Sequence, residues 1–168
     1  MDNEDYYFPE QKETRLAALE GNAKTANTFP EILPYSSSKS REEAERAMLH
    51  DMDAHPAFIL SGVNANWNDG ILSRIGFVFV LDAPLDTRLR RIEAREVRRF
   101  GARVQAGGDM HAQQKAFREA IAKRSIQTVL ESAGKLPCEA VLLDGTRPIH
   151  ENISAIIKTI FQTATEHP

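Results

Sequence analysis

At 168 residues the chain can bury the core of one domain and is short for two. Its 21 Lys and Arg against 24 Asp and Glu leave a net charge of −3, which excludes a nucleic-acid binder that works by bulk charge. The one cysteine, Cys138, excludes an internal disulfide and fits a reducing compartment; no apolar run reaches the roughly 20 residues of a membrane span, and the acidic first residues give no signal-peptide pattern, so a cytoplasmic protein is expected.

Taken in chain order, the first segment is acidic and aromatic, Met1-Asp-Asn-Glu-Asp-Tyr-Tyr7, and has the character of the end of a buried strand. Leu33-Pro-Tyr-Ser-Ser-Ser-Lys-Ser40 reads as a loop, and Ser40-Arg-Glu-Glu43 is a capping-box pattern that starts a helix carrying Ala44, Ala47 and Met48 on one face. Ala57–Ser61, Phe77–Leu81 and Ala140–Leu143 are continuous apolar runs rich in β-branched and aromatic residues, as strands covered on both faces require. Pro84 suits the first position of a helix whose Leu85, Leu89 and Ile92 form its apolar stripe. A mobile loop is expected over 98–108, followed by a long helical segment capped by Asp109 and closed by Gly134. Pro148 opens a last helix striped by Ile149, Ile153, Ile156, Ile157 and Ile160. Strands alternating with helices predict one α/β domain with a parallel sheet over residues 1–168.

Chemistry is suggested at two places. From Arg88 to Arg103 there are seven arginines and two glutamates, with Arg88, Arg91, Arg95 and Arg98 or Arg99 along one side of the helix and Arg103 in the loop. Guanidinium forks grip phosphate oxygens in pairs, so polyphosphate is one reading; a solvated helix face is another. Nucleic acid is a third, disfavoured by the acidic flanks and the lack of interleaved aromatics. The second place is a rim: in an open α/β sheet ligands sit at the carboxyl ends of the strands, where Leu143-Asp-Gly-Thr-Arg-Pro148 and Ser61-Gly-Val-Asn-Ala-Asn-Trp67 are expected. Asp144 and Gly145 can equally serve to shape a turn. No Gly-rich loop ending in Lys-Ser/Thr is present; Ser36–Ser40 lacks glycine, and Gly21–Thr25 fails the spacing. The five histidines and Cys138 show no ligand or nucleophile pattern.

Asp82-Ala-Pro-Leu-Asp-Thr-Arg-Leu-Arg-Arg91-Ile-Glu-Ala-Arg95 resembles the strand–lid junction of adenylate-kinase-like P-loop kinases, and Leu143–Pro148 resembles their last strand and adenine-contacting turn. Glu96–Arg103, Gly107-Gly-Asp-Met110, Ser61-Gly62 with Trp67, and Leu136-Pro-Cys138 are similar to bacterial proteins labelled AAA-family ATPases or nucleotide-kinase-like proteins. The resemblance implies a three-layer P-loop kinase fold that uses ATP and Mg²⁺ on a small-molecule acceptor, with an acceptor-side region over about 6–50 and a lid over about 96–124. It also implies that this chain begins after the family's first strand–loop–helix unit of roughly 30 residues, as a truncated reading of a longer protein or as a degenerate relative.

Carried over by that resemblance, Arg91 lies near the adenine or α-phosphate, Arg95 stabilises the transferring phosphoryl group, and Arg103 is a lid residue. Thr146 and Arg147 approach the base. Asp5, Tyr35, Arg46, Asn66 and Trp67 face the acceptor, and Asp2 and Glu4 join an acidic cluster suited to Mg²⁺. Ser61 stands where adenylate kinases carry an acidic residue, which turns the expectation from a nucleoside monophosphate toward a small hydroxylated acceptor. A non-catalytic remnant that binds nucleotide or another protein is the alternative.

Overall fold

The computed structural model describes residues 1–12, 33–55 and 57–166; Gly21–Thr25 and His167 lie outside them. The elements are, in order, α1 (Asn3–Tyr7), α2 (Arg41–Ala54), α3 (Asp69–Leu72), β1 (Val78–Asp82), α4 (Leu85–Phe100), a 3₁₀ turn (Gly101–Val104), α5 (His111–Ala122), α6 (Ile126–Ala133), β2 (Ala140–Asp144) and α7 (Ile149–Glu166). This is a mixed α/β architecture with a two-stranded parallel sheet. Among the described residues no helix is long and apolar enough to cross a membrane. The chain forms two compact units, Met1–Val63 with Leu89–Lys123, and Asn64–Arg88 with Arg124–Pro168.

In the first unit, helix α2 begins as expected. The Ser40 hydroxyl accepts from the Glu43 N–H while the Glu43 carboxylate accepts from the Ser40 N–H, so two N–H groups are satisfied reciprocally. Ala44, Met48 and Met52, four apart, form its buried face. Helix α1 packs on α2, and the Tyr6 hydroxyl donates to Asp51 at 2.7 Å.

The expected strand over Ala57–Ser61 is reduced to one parallel bridge between Asp2 and Ser61. Ser61 N–H donates to the Met1 carbonyl and Asn3 N–H to the Ser61 carbonyl, both at 2.9 Å. Asp2 then caps α1, and the partner backbone turns away before a ladder can extend; Ile59 is left 85% exposed. The parallel sense of this contact agrees with a strand end at residues 1–2, while the rest of the Met1–Tyr7 segment is helical.

The expected loop over 98–108 is ordered instead. Helix α4 runs to Phe100, the 3₁₀ turn follows, and Gly101 (φ 57°) and Gly107 (φ 88°) supply the left-handed residues that fold the chain back. Phe100, Val104 and Met110 close a buried cluster against which Leu33 and Tyr35 pack. The expected helix from Asp109 to Gly134 is broken at 123–125, and Ser125 caps α6 by accepting from the Gln127 N–H at 3.1 Å. Asp109 does not act as a cap, because its carboxylate is taken by Arg103.

In the second unit β1 and β2 pair in parallel, from Val78 opposite Ala140 to Asp82 opposite Asp144. Residues opposite one another share a face, so Val80 and Leu142 lie on one and Leu81 and Leu143 on the other. Val80 and Leu143 are buried, but Leu81 and Leu142 are 59% and 58% exposed. Coverage of both faces, expected from the apolar runs, is therefore partial. Helix α6 packs against β1, and the Ser132 hydroxyl accepts from the buried Ala65 N–H at 2.7 Å. The apolar stripe of α7 is largely solvent-facing at Ile149, Ile153, Ile157 and Ile160.

Candidate functional site

The arginines of α4 divide by helix face. Leu85, Leu89 and Ile92 recur at spacings of four and three, and the same rhythm continues to Glu96 and Arg99. Both are in fact buried, Glu96 at 2% and Arg99 at 4% exposure. Arg99 thus leaves the exposed arginine side on which the spacing allowed it. Arg91 stays exposed. Arg95, partly exposed, turns its guanidinium onto the neighbouring Glu96, with Nε and Nη2 at 2.9 and 2.8 Å from Oε1.

Arg103 makes a side-on fork with Asp109: Nε lies 3.0 and 3.2 Å from the two carboxylate oxygens and Nη2 2.7 Å from Oδ2. This hydrogen-bonded pair holds the Asp109 carboxyl below the usual carboxylate range. The clamp spans a turn closed by Met110 N–H donating to the Arg103 carbonyl at 3.0 Å and Gly108 N–H to the Gln105 carbonyl at 2.9 Å.

Glu4, Tyr35 and Arg99 meet in the first unit. The Tyr35 hydroxyl donates to Glu4 Oε1 at 2.9 Å, and Arg99 Nη1 lies 3.7 Å from the same oxygen. The Arg99 guanidinium sits 5.8 Å from the Tyr35 ring centroid and 5.2 Å from that of Phe100, within cation–π range. Burial pushes the Tyr35 phenol well above its usual range, opposed by the Arg99 charge, so the hydroxyl keeps its proton and its donor role. Tyr35 also has φ 62°, an unusual conformation for an aromatic residue, secured by edge-on contact with Phe8 at 5.3 Å.

The other acceptor-side expectations are less connected. Arg46 is exposed on α2, and Asp5 is half-buried in α1. Asp2 Oδ1 caps α1 by accepting from the Glu4 N–H at 3.0 Å. With Glu4 bound by Tyr35 and Arg99, the two carboxylates expected for Mg²⁺ are engaged as a cap and as an ion-pair acceptor. Both would have to be released to hold the ion. Among the described residues no group of three or more His, Cys, Asp and Glu is placed to hold a metal.

In the second unit the carboxyl ends of β1 and β2 carry Asp82 and Asp144 side by side. Asp144 Oδ1 accepts from the Thr146 N–H at 2.8 Å and from its hydroxyl at 2.6 Å, which holds the Asp144 carboxyl below its usual range. Gly145 lies against Asp82, where an added Cβ would stand 2.6 Å from the Asp82 carbonyl oxygen. Arg147 Nε, just before α7, pairs with Glu151 in its first turn at 3.2 Å. Asn66 is exposed, its N–H donating to Asn64 Oδ1 at 3.2 Å, and Trp67 is half-buried.

A separate cleft of about 260 Å³ in the first unit is lined by Glu93, Glu96, Val104, His111 and Arg118 among others. Sequence reasoning did not single out this cleft, and it named Arg99 only as an alternative to Arg98 on the arginine side of the helix. The signal for Arg99 lay in the apolar rhythm of α4, which places a charge where a hydrophobe belongs.

Comparison with known proteins gives one partial likeness. The chain is 39% identical over 84 residues to the uncharacterized protein YqaC of Bacillus subtilis (strain 168), a match that covers 49% of this chain and 47% of YqaC. The chain thus spans about half the length of that relative. No family model and no solved structure matches it.

Proposed function

We propose that this is a P-loop kinase-like domain, of the adenylate- and shikimate-kinase branch, that acts in the cytoplasm with ATP and Mg²⁺ on a small-molecule acceptor. The observation that supports it is the parallel β1–β2 pair, in which β1 leads through Ala83-Pro84 into helix α4 and β2 through the Asp144-Gly145-Thr146-Arg147 turn into helix α7. A strand–turn–helix of this kind lies at the rim where nucleotides sit in open α/β sheets, and here the Gly145, Thr146 and Arg147 N–H groups donate to Asp82 and Asp144, so a nucleotide would have to compete for them. In this reading Thr146 and Arg147 meet the base, Arg91, Arg95 and Arg103 serve the phosphates, and Tyr35, Arg46, Asp5, Asn66 and Trp67 serve the acceptor.

The 168 residues contain no Gly-rich loop ending in Lys-Ser/Thr. Arginines cannot replace that backbone cradle and lysine, so the chain as given should bind nucleotide weakly and turn over little or none. The test is ¹⁵N-resolved titration with MgATP. Saturable shifts at the Thr146 and Arg147 amides are expected, and their absence refutes the nucleotide reading.

One observation favours a non-catalytic role: Arg95, Arg103 and Arg147 are each paired with a carboxylate, leaving these guanidinium groups engaged before any phosphate arrives. An intact mass of the native protein that matches 168 residues would favour that second reading, and a heavier product the first.

A further inference from the structure

Arg99 is the most enclosed cation among the described residues, 4% exposed overall, with a side chain at 3%. Its Nη1 faces Glu4 at 3.7 Å, a distance beyond a hydrogen bond. Its Nε and Nη2 are buried and have no hydrogen-bond partner among the described residues. A guanidinium cannot shed its charge at any relevant pH, so neutralisation offers no escape. Leaving two of its N–H groups unmet carries their full desolvation cost.

Nε and Nη2 form one edge of the guanidinium plane, the side-on fork that matches two oxygens of a carboxylate or phosphate. The same chain shows what such a fork looks like when filled. Arg103 uses its own Nε and Nη2 to hold both oxygens of Asp109 at 2.7–3.2 Å. In Arg99 the equivalent edge is buried and lacks an acceptor among the described residues, with the Tyr35 and Phe100 rings at 5.8 and 5.2 Å from the guanidinium. Glu4, 37% exposed, covers only the Nη1 end.

We propose that the Nε/Nη2 fork of Arg99 is a receptor for an oxyanion, a phosphate or a carboxylate. Tyr35 is the cover. It stands over the guanidinium from a segment whose next residues, Ser36 to Ser40, are exposed, and which is tied down by Gln113 donating to the Pro34 carbonyl and Lys39 N–H to the Tyr7 carbonyl, both at 2.8 Å. The donor set recognises any planar or tetrahedral oxyanion small enough to reach the fork. The neighbouring Glu4 and Glu96 carboxylates disfavour a large polyanion. This inference does not rest on the phosphotransferase reading, because an oxyanion receptor would stand in a protein that transfers nothing.

The test follows the arginine Nε–Hε resonances of the full chain by NMR during titration with inorganic phosphate or with sodium acetate, each against sodium chloride at matched ionic strength. A saturable shift of the Arg99 signal is expected while the Arg103 signal, already held by Asp109, stays still. Phosphate acting well before acetate assigns the site to phosphate groups, and the reverse order assigns it to carboxylates. Arg99→Lys keeps the charge and loses the fork, and should weaken binding by about tenfold or more. The wild-type titration decides the matter alone should that variant fail to fold. An Arg99 signal that does not move, or that moves only together with all other arginines as in chloride, overturns the proposal.

Discussion

Gly107 and Gly108 are adjacent in the turn that the Arg103–Asp109 clamp closes, and they should respond to alanine for opposite reasons. At Gly108 an added Cβ would stand 2.2 Å from the Arg103 carbonyl oxygen and 2.5 Å from that of Ala102. Both are backbone atoms held inside hydrogen-bonded turns, so the clash must open the turn by more than 1 Å to reach ordinary contact, about 3.4 Å for a Cβ beside oxygen. Opening it breaks the bond from Met110 N–H to the Arg103 carbonyl and spreads the clamp. A lost backbone hydrogen bond and an overpacked contact together suggest about 3 kcal/mol for Gly108→Ala. At Gly107 the Cβ would meet nothing within 4 Å, and the cost is only that of φ 88° for an L-residue, about 1 kcal/mol. Urea unfolding followed by far-ultraviolet circular dichroism measures both. Trp67, the one tryptophan of the chain, belongs to the second unit, so its emission checks that the damage arises in the first. Equal destabilisation by the two substitutions would refute the steric argument.

Three further outcomes are expected. The depressed Asp109 carboxyl stabilises the fold at pH values above the ordinary carboxylate value, and that contribution is lost as pH falls through its lowered folded value; a carboxyl NMR titration should show the depression in wild type and its disappearance in Arg103→Gln. Ser132→Ala strips the buried Ala65 N–H of its acceptor and should cost about 1–3 kcal/mol, read as an earlier unfolding transition in Trp67 emission. Met48→Ala leaves a cavity under a fully buried side chain and should cost about 2–5 kcal/mol, whereas Ile149→Ser, at a position 79% exposed, should shift the same denaturation curve by less than about 0.5 kcal/mol.

Local chemistry was legible wherever a short stretch of chain decides its own conformation. The Ser40–Glu43 capping box, the helix after Pro84, the helix after Pro148 and the two strands ending at Asp82 and Asp144 follow from caps, proline geometry and β-branched runs. The relation of α4's stripe to the core was also readable as far as Ile92, and the rhythm itself continued correctly to positions 96 and 99.

What the sequence alone determined is therefore the α/β class, the starts of α2, α4 and α7 and the two strands, because periodicity and capping act over a few residues. Tertiary structure decided where the charges went. Glu96 and Arg99 occupy apolar positions, and Tyr35 and Glu4, approaching Arg99 from other segments beside its helix neighbour Phe100, leave the Arg99 fork without an acceptor among the described residues. Asp109 became a clamp for Arg103 rather than a helix cap, because left-handed glycines before the turn at Gly101 and within it at Gly107 brought a guanidinium within 3 Å of it. Pairing of this kind depends on residues distant along the chain or folded back by a turn, and no local preference encodes it.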